Sequence, residues 1–156
     1  MKRRAFLIGA SSKAITSPAV ADTTYEFEIC LTDAEWRARL TDAEYRVLRE
    51  EDTEHPYSSA LNDETRPGQY LCRGCLLPVY SSETKYDSGT GWPSFWDSLP
   101  GAVGTREDRR FIFQIRTEVH CRRCGGHLGH IFTDGPEPTE ERHCLNGISL
   151  TFAPTV

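Results

Sequence analysis

Long apolar runs are missing from this 156-residue chain, and none approaches the roughly 20 residues that a membrane-spanning helix needs. No stable membrane association is therefore expected. A basic excess is missing too. The formal net charge is −5, although the first 21 residues carry four basic groups (Lys2, Arg3, Arg4, Lys13) and no acid. Without them 14 basic residues face 23 acidic ones, a balance of −9. Such a field is unsuited to holding the phosphates of nucleic acid. Internal repetition is limited to two short echoes, Thr32-Asp33-Ala34-Glu35 and Thr41-Asp42-Ala43-Glu44, too brief for a repeat architecture. What remains is 38% hydrophobic and 26% charged, the composition of one ordinary globular domain.

At the N-terminus, Lys2-Arg3-Arg4 precedes the short apolar run Ala5-Phe6-Leu7-Ile8-Gly9-Ala10. Paired arginines before such a run are the pattern of a twin-arginine export signal. Ala19-Val20-Ala21 then offers an A-x-A cleavage pattern before Asp22. Residues 1–21 are read as that signal, with a disordered basic terminus as the alternative. Residues 22–156 are read as a single domain. The expected location is periplasmic, or cytoplasmic if the signal is not used.

Tyr25, Phe27, Ile29 and Leu31 alternate with Thr24, Glu26, Glu28 and Cys30, which predicts a strand or an extended arm with Cys30 on its polar face. The two Thr-x-x-Glu echoes are capping boxes. Trp36 and Leu40 on the first helix, and Tyr45 and Leu48 on the second, predict a helical hairpin with one apolar stripe. Residues 51–69 are polar and turn-rich. Phe111 to Val119 reads as the clearest strand, with Phe111, Phe113, Ile115 and Val119 on one face and Gln114, Arg116 and Glu118 on the other. Ile148, Leu150 and Phe152 alternate again. Short strands between Gly/Pro turns predict a mainly β domain of two packed antiparallel sheets, with the helical hairpin at its N-terminal side.

The six cysteines are not scattered. Cys72-x2-Cys75 and Cys121-x2-Cys124 form two knuckles beside predicted strands. Four thiolates satisfy a tetrahedral zinc ion and leave no open position, so one structural Zn2+ is expected. Two disulfides are the alternative pairing. A second ion on His127, His130, His143 and Cys144 is a further possibility. The zinc set leaves Cys30 and Cys144. Arg142 lies two residues before Cys144, on the same face of an extended strand, where its charge lowers the thiol pKa. His127 and His130 are candidate acid–base groups.

Together these motifs make the chain resemble the B-type methionine sulfoxide reductases, which act on the R epimer. The resemblance spans about residues 32–153. It rests on Cys72-x2-Cys75, Gly89-Thr90-Gly91-Trp92-Pro93-Ser94-Phe95, Cys121-x2-Cys124-x2-His127-Leu128-Gly129-His130, Asp134-Gly135-Pro136 and Arg142-His143-Cys144-Leu145-Asn146. It implies that Cys144 is the nucleophile and becomes a sulfenic acid. His127 and His130 would protonate the sulfoxide oxygen. Trp92 would pack against the substrate methyl group, and Arg142 and Asn146 would position the thiolate and substrate. Many members carry a resolving cysteine where this chain has Thr90. The remaining free thiol, Cys30, is the expected resolver, recycled by thioredoxin or a thioredoxin-like donor. Direct attack of a small thiol on the sulfenic acid is the alternative. The implied partners are oxidised proteins bearing methionine-R-sulfoxide and that reductant, and a monomer is expected. His143 stands where the family often has Tyr or Phe. Two readings of other classes compete: a non-catalytic zinc-stabilised binding module, and a Cys-His hydrolase, for which no orienting carboxylate is evident in the sequence.

N-terminal sequencing of the native protein is expected to begin at Asp22 if residues 1–21 direct export. A start at Met1 would reject the signal.

Overall fold

The computed structural model describes residues 27–111 and 114–155. The expected export signal, its cleavage point, residues 24–26 of the predicted first strand, and Phe113 lie outside the described residues.

Both capping boxes form. The Thr32 hydroxyl accepts from the Glu35 N–H while the Glu35 carboxylate accepts from the Thr32 N–H, starting α1 (Asp33–Arg39). Thr41 and Glu44 repeat the arrangement at α2 (Asp42–Glu50). The hairpin buries Trp36, Leu40, Tyr45 and Leu48, the apolar stripe that its spacing predicts, and Val47 besides.

Among the described residues nine strands follow: β1 (Gly68–Cys72), β2 (Pro78–Ser81), β3 (Lys85–Tyr86), β4 (Ser94–Phe95), β5 (Val103–Phe111), β6 (Gln114–Cys121), β7 (His127–Phe132), β8 (Arg142–Leu145) and β9 (Leu150–Pro154). They make two antiparallel sheets, one ordered β2-β1-β9 and one ordered β3-β4-β8-β7-β6-β5. Buried aromatic rings join them: Tyr70 of β1 and Tyr80 of β2 meet Phe95 of β4 at centroid distances of 4.9 and 4.7 Å. The mainly β, two-sheet class with an N-terminal helical hairpin is therefore the observed one.

Of the strand and the extended arm that the alternation allows, residues 27–31 form the arm and not a strand. They run as a strap: the Ile29 N–H donates to the Arg123 carbonyl at 3.0 Å, and the Phe27 ring lies edge-on to His120. Their alternation is real, with Phe27, Ile29 and Leu31 half-buried and Glu28 and Cys30 exposed. Period 2 reports which side faces the body; it does not supply a partner strand.

One local expectation is corrected: Phe111 to Val119 is not one strand. The ladder folds back so that Phe111 pairs with Gln114, and the segment is split between β5 and β6. Its apolar face is also not uniformly the inner one, since Val119 of that face is buried and Ile115 is not. Ile115 is 60% exposed, whereas Glu118 is 2% exposed. The polar face of β6 is an interior one.

Replacing Thr41 by Ala is expected to cost about 1 kcal/mol, the usual value of an N-cap. That corresponds to a fall in melting temperature of roughly 3 °C for a domain of this size. Thr41→Ser should recover it. A thermal melt unchanged by Thr41→Ala would show that the box adds nothing to α2.

Candidate active site and metal centre

The two C-x2-C turns are built alike. Cys72 N–H bonds to Leu77 O and Cys121 N–H to Gly126 O, each closing a hairpin tip. After the second cysteine of each turn the backbone enters the left-handed region, at Leu76 and at Gly125. The four Sγ atoms lie within 4.8 Å of one another. Cys72 and Cys124 are 3.7 Å apart and Cys75 and Cys121 are 3.5 Å apart. These separations exceed a disulfide bond, about 2.05 Å. They approach the edge of a zinc tetrahedron, about 3.8 Å for Zn–S of 2.3 Å. The residues present fit a four-thiolate ion. The helical hairpin covers this point: Trp36 lies against Gly74, Leu48 against Gly126, and Arg49 donates to the Cys124 carbonyl at 3.0 Å.

β7 leaves the second knuckle and carries the two histidines. Its register places His130 opposite Cys144 of β8, and Cys144 opposite Ser94 of β4. On the other side Glu118 of β6 faces His130, and Arg106 of β5 faces Glu118. One row, Arg106–Glu118–His130–Cys144–Ser94, thus crosses five strands. Directly opposed residues have Cβ atoms about 5 Å apart and share a face. Gly129 permits this closeness, because a Cβ there would lie 2.0 Å from the Cys144 carbonyl oxygen.

Cys144 opens into a pocket of about 140 Å³ lined by Thr53, Trp92, Arg116, His130, Phe132, Leu145 and Asn146. Trp92 is held by its indole N–H, which donates to the Glu54 carbonyl at 3.1 Å. Glu54 is pinned in turn. Its N–H donates to Asn146 Oδ1 at 3.0 Å, and its carboxylate accepts from the Gly147 and Ile148 N–H groups. Asn146 therefore ties the pocket wall to the end of β8. Gly91, at φ 93, sets the turn before Trp92; a Cβ there would strike Pro56 and Tyr57.

Arg142 shares the face of Cys144, as its spacing predicts. Its guanidinium makes a bidentate pair with Asp134 at 2.9 and 3.0 Å and lies over the Phe132 ring. Burial pushes the Cys144 thiol up, and this outweighs the downward pull of the Thr90 hydroxyl, 3.9 Å away, and of Arg142. The net displacement of the thiol is upward, although Arg142 acts on it in the expected, downward direction. Burial also pushes the His130 imidazole down, against the opposing effect of Asp108.

The histidines each rest on a buried carboxylate. His127 Nδ1–H donates to Glu118 at 2.7 Å, and His130 Nε2–H donates to Asp108 at 2.9 Å. Arg106 pairs with Glu118, and Arg116 donates to Asp108 at 2.6 Å. The histidine rings meet edge-on at 5.3 Å, but only His130 lines the pocket. His143 lies on the opposite face of β8, hydrogen-bonded to Tyr80 at 2.9 Å and to Glu141 at 3.2 Å. It cannot join Cys144 around a second ion; among the described residues the four-cysteine set is the metal-ligating group.

A SelR-domain family model matches residues 40–154. The chain belongs to this family, that of the B-type methionine sulfoxide reductases. The "Peptide methionine sulfoxide reductase MsrB" of Leifsonia xyli is 50% identical over 131 residues, covering 83% of this chain and 94% of that protein. The proteins of the same name from Thiobacillus denitrificans and Agrobacterium fabrum are 48% and 46% identical over 124 residues, each covering 79% of this chain and 93% and 91% of theirs.

In this reductase the structure brings Cys144, His130, Trp92 and Asn146 to one pocket, with Arg142 beside Cys144 on β8 and His127 against the His130 ring. Cys30 is elsewhere. It is exposed, and its thiol donates to the Phe27 carbonyl in the strap over the knuckle. The span of β7 from His127 to His130, about 10 Å, separates the knuckle from the level of Cys144. Thr53, Glu54, Asp108, Arg116 and Glu118 are site residues that the sequence alone did not single out, and Thr90, noted only as the place of a missing cysteine, lies 3.9 Å from the Cys144 sulfur. Arg116 and Glu118 were read only as the polar face of their strand, a pattern that a solvent-facing strand shares.

Alkylation of Cys144 by iodoacetamide, measured in a Cys30→Ser background, should rise with pH through a midpoint above the ordinary thiol value of about 8.5. Thr90→Val should raise the midpoint further. A midpoint at or below neutrality would mean that Arg142 outweighs burial.

Proposed function

We propose that this chain reduces methionine-R-sulfoxide, in proteins and as the free residue, through a sulfenic acid on Cys144. The observation that carries the reading is the pairing of His130 with Cys144 inside a small pocket walled by Trp92. Its size suits a methylsulfinyl group. The Trp92 face and Phe132 offer apolar contact to the methyl, and Arg142 holds the thiolate as it forms. The sulfoxide S–O bond breaks and a new S–O bond forms on Cys144. The substrate sulfur is reduced, the cysteine sulfur is oxidised, and methionine leaves. His130, supported by His127, handles the proton that goes to the oxygen.

Recycling is assigned to Cys30. A Cys30–Cys144 disulfide requires Cα atoms within about 7 Å, so the 27–31 strap must leave the knuckle. It is held there by the Ile29–Arg123 hydrogen bond, the Phe27 ring contacts and the ion pairs of Glu28 with Arg122 and Arg123. Exposed pairs of that kind hold weakly. Thioredoxin or a thioredoxin-like dithiol then reduces the disulfide. Cys72, Cys75, Cys121 and Cys124 hold one structural Zn2+, which fixes the knuckles and takes no part in the chemistry. The proposed working form is a monomeric catalytic domain, residues 22–156, exported by the 1–21 signal to the periplasm.

With dithiothreitol as reductant, turnover of the R epimer alone is expected, with one zinc per chain by metal analysis, and Cys144→Ser should abolish it. Cys30→Ser should keep dithiothreitol-supported turnover and lose that supported by thioredoxin. Unimpaired thioredoxin turnover would remove Cys30 from the cycle. Zinc binding with no turnover of either epimer would favour a non-catalytic binding module.

A further inference from the structure

Two carboxylates lie in the interior of the site, and the reaction as outlined above uses neither. Asp108 is 6% exposed and Glu118 2% exposed. Burying a carboxylate is costly unless it is paired, and replacing such a pair by apolar residues is often neutral for stability. Their presence calls for a reason beyond folding. Each is fastened by an arginine and accepts from one imidazole. The two resulting dyads are not equivalent, because His127 is 1% exposed and stands behind His130, which lines the pocket opposite Cys144.

We propose that Asp108 is a positioning residue for the reductase reaction: it fixes His130 with its proton on Nε2, so that Nδ1 shuttles the Cys144 thiol proton to the sulfoxide oxygen. This rests on the reading of Cys144 as a sulfoxide-reducing nucleophile. A neutral imidazole whose Nε2–H is held by a carboxylate presents a bare Nδ1 lone pair. That lone pair takes the proton from Cys144 S–H and leaves a thiolate. The thiolate receives the oxygen as the substrate S–O bond breaks, and the imidazolium gives its proton to that oxygen. Cys144–SH and the sulfoxide thus become Cys144–S–OH and the sulfide, and no proton is taken from solvent. During the transfer Asp108 is the counter-ion of the imidazolium, the role that an orienting carboxylate has in nucleophile–histidine hydrolases. Asp108 touches no substrate; it acts through His130. The cross-strand geometry explains how it gets there. Asp108 pairs with Arg116 across β5 and β6, and the Arg116 donor and the His130 donor converge on the same oxygen, Oδ2.

The charged and titratable groups facing His130 are Asp108 from β5, Arg116 and Glu118 from β6, His127 from its own strand, and Cys144 and Arg142 from β8. Removing the Asp108 charge leaves the imidazolium beside Arg116 without its counter-ion, so His130 should protonate only at lower pH.

The test is a single-turnover assay, methionine formed from reduced protein mixed with R-sulfoxide, followed as a function of pH. Wild-type formation of methionine checks the underlying reading by itself. Asp108→Asn keeps the acceptor oxygen and removes the charge. It should lower the plateau rate on the order of 10²-fold, leave KM little changed, and move the acidic limb of the profile to lower pH. Asp108→Glu should recover part of the rate. Equal Cys144 alkylation rates at pH 10, where the thiol needs no base, would show the variant folded. A plateau within twofold of wild type, or a loss of rate with the acidic limb unmoved, overturns the proposal. If Asp108→Asn fails to fold, Asp108→Glu alone decides: a lowered rate with a shifted acidic limb supports the positioning role, and an unshifted limb overturns it.

Discussion

The convergence of four cysteine sulfurs on one point is the constraint from which the rest of the molecule takes its spacing. Two hairpin tips from different sheets are drawn together there. The gap between the sheets is then filled by Tyr70, Tyr80 and Phe95, and the helical hairpin closes over the outside through Trp36 and Leu48. β7 starts three residues beyond Cys124, so the positions of His127 and His130 are inherited from the clip. The chemistry lies away from the sulfurs but is aligned by them.

The large sheet carries an interior row of polar residues. Arg106, Glu118, His130 and Cys144 stand side by side across successive strands. Such a row is tolerated because every buried carboxylate meets both an arginine and an imidazole. A sheet built for stability alone would fill these positions with valine and leucine. The departure from that rule coincides with the pocket, as it does where function overrides local packing preference.

Much of this was legible in the residues. The capping boxes located the starts of both helices to the residue, and the paired C-x2-C spacing named the sulfur cluster. The 127–130 and 142–146 segments named the pocket. Other features were hidden for physical reasons. Alternation in the 27–31 strap has the same signature whether or not a strand pairs with it. The polar face of β6 was indistinguishable from a solvent face, because a charged residue buried against partners on neighbouring strands leaves no local mark. Asp108 is 36 residues from Cys144 in sequence, and only the register of β5 on β6 and of β6 on β7 joins them. Arg142 was placed correctly but its charge was counted alone; Asp134 shares it.

β8 has four residues and is paired on both sides, with Cys144 facing the pocket and His143 the core. A slip of one residue in that short strand would exchange the two, turning His143 outward and sealing the sulfur inside. Such a molecule would keep its clip, its helices and nearly all of its buried surface, and would be catalytically silent. For this chain, compactness and competence are separate achievements. The difference between them is a single notch in the ladder, guarded by the bare α-carbon of Gly129 pressed against the Cys144 carbonyl.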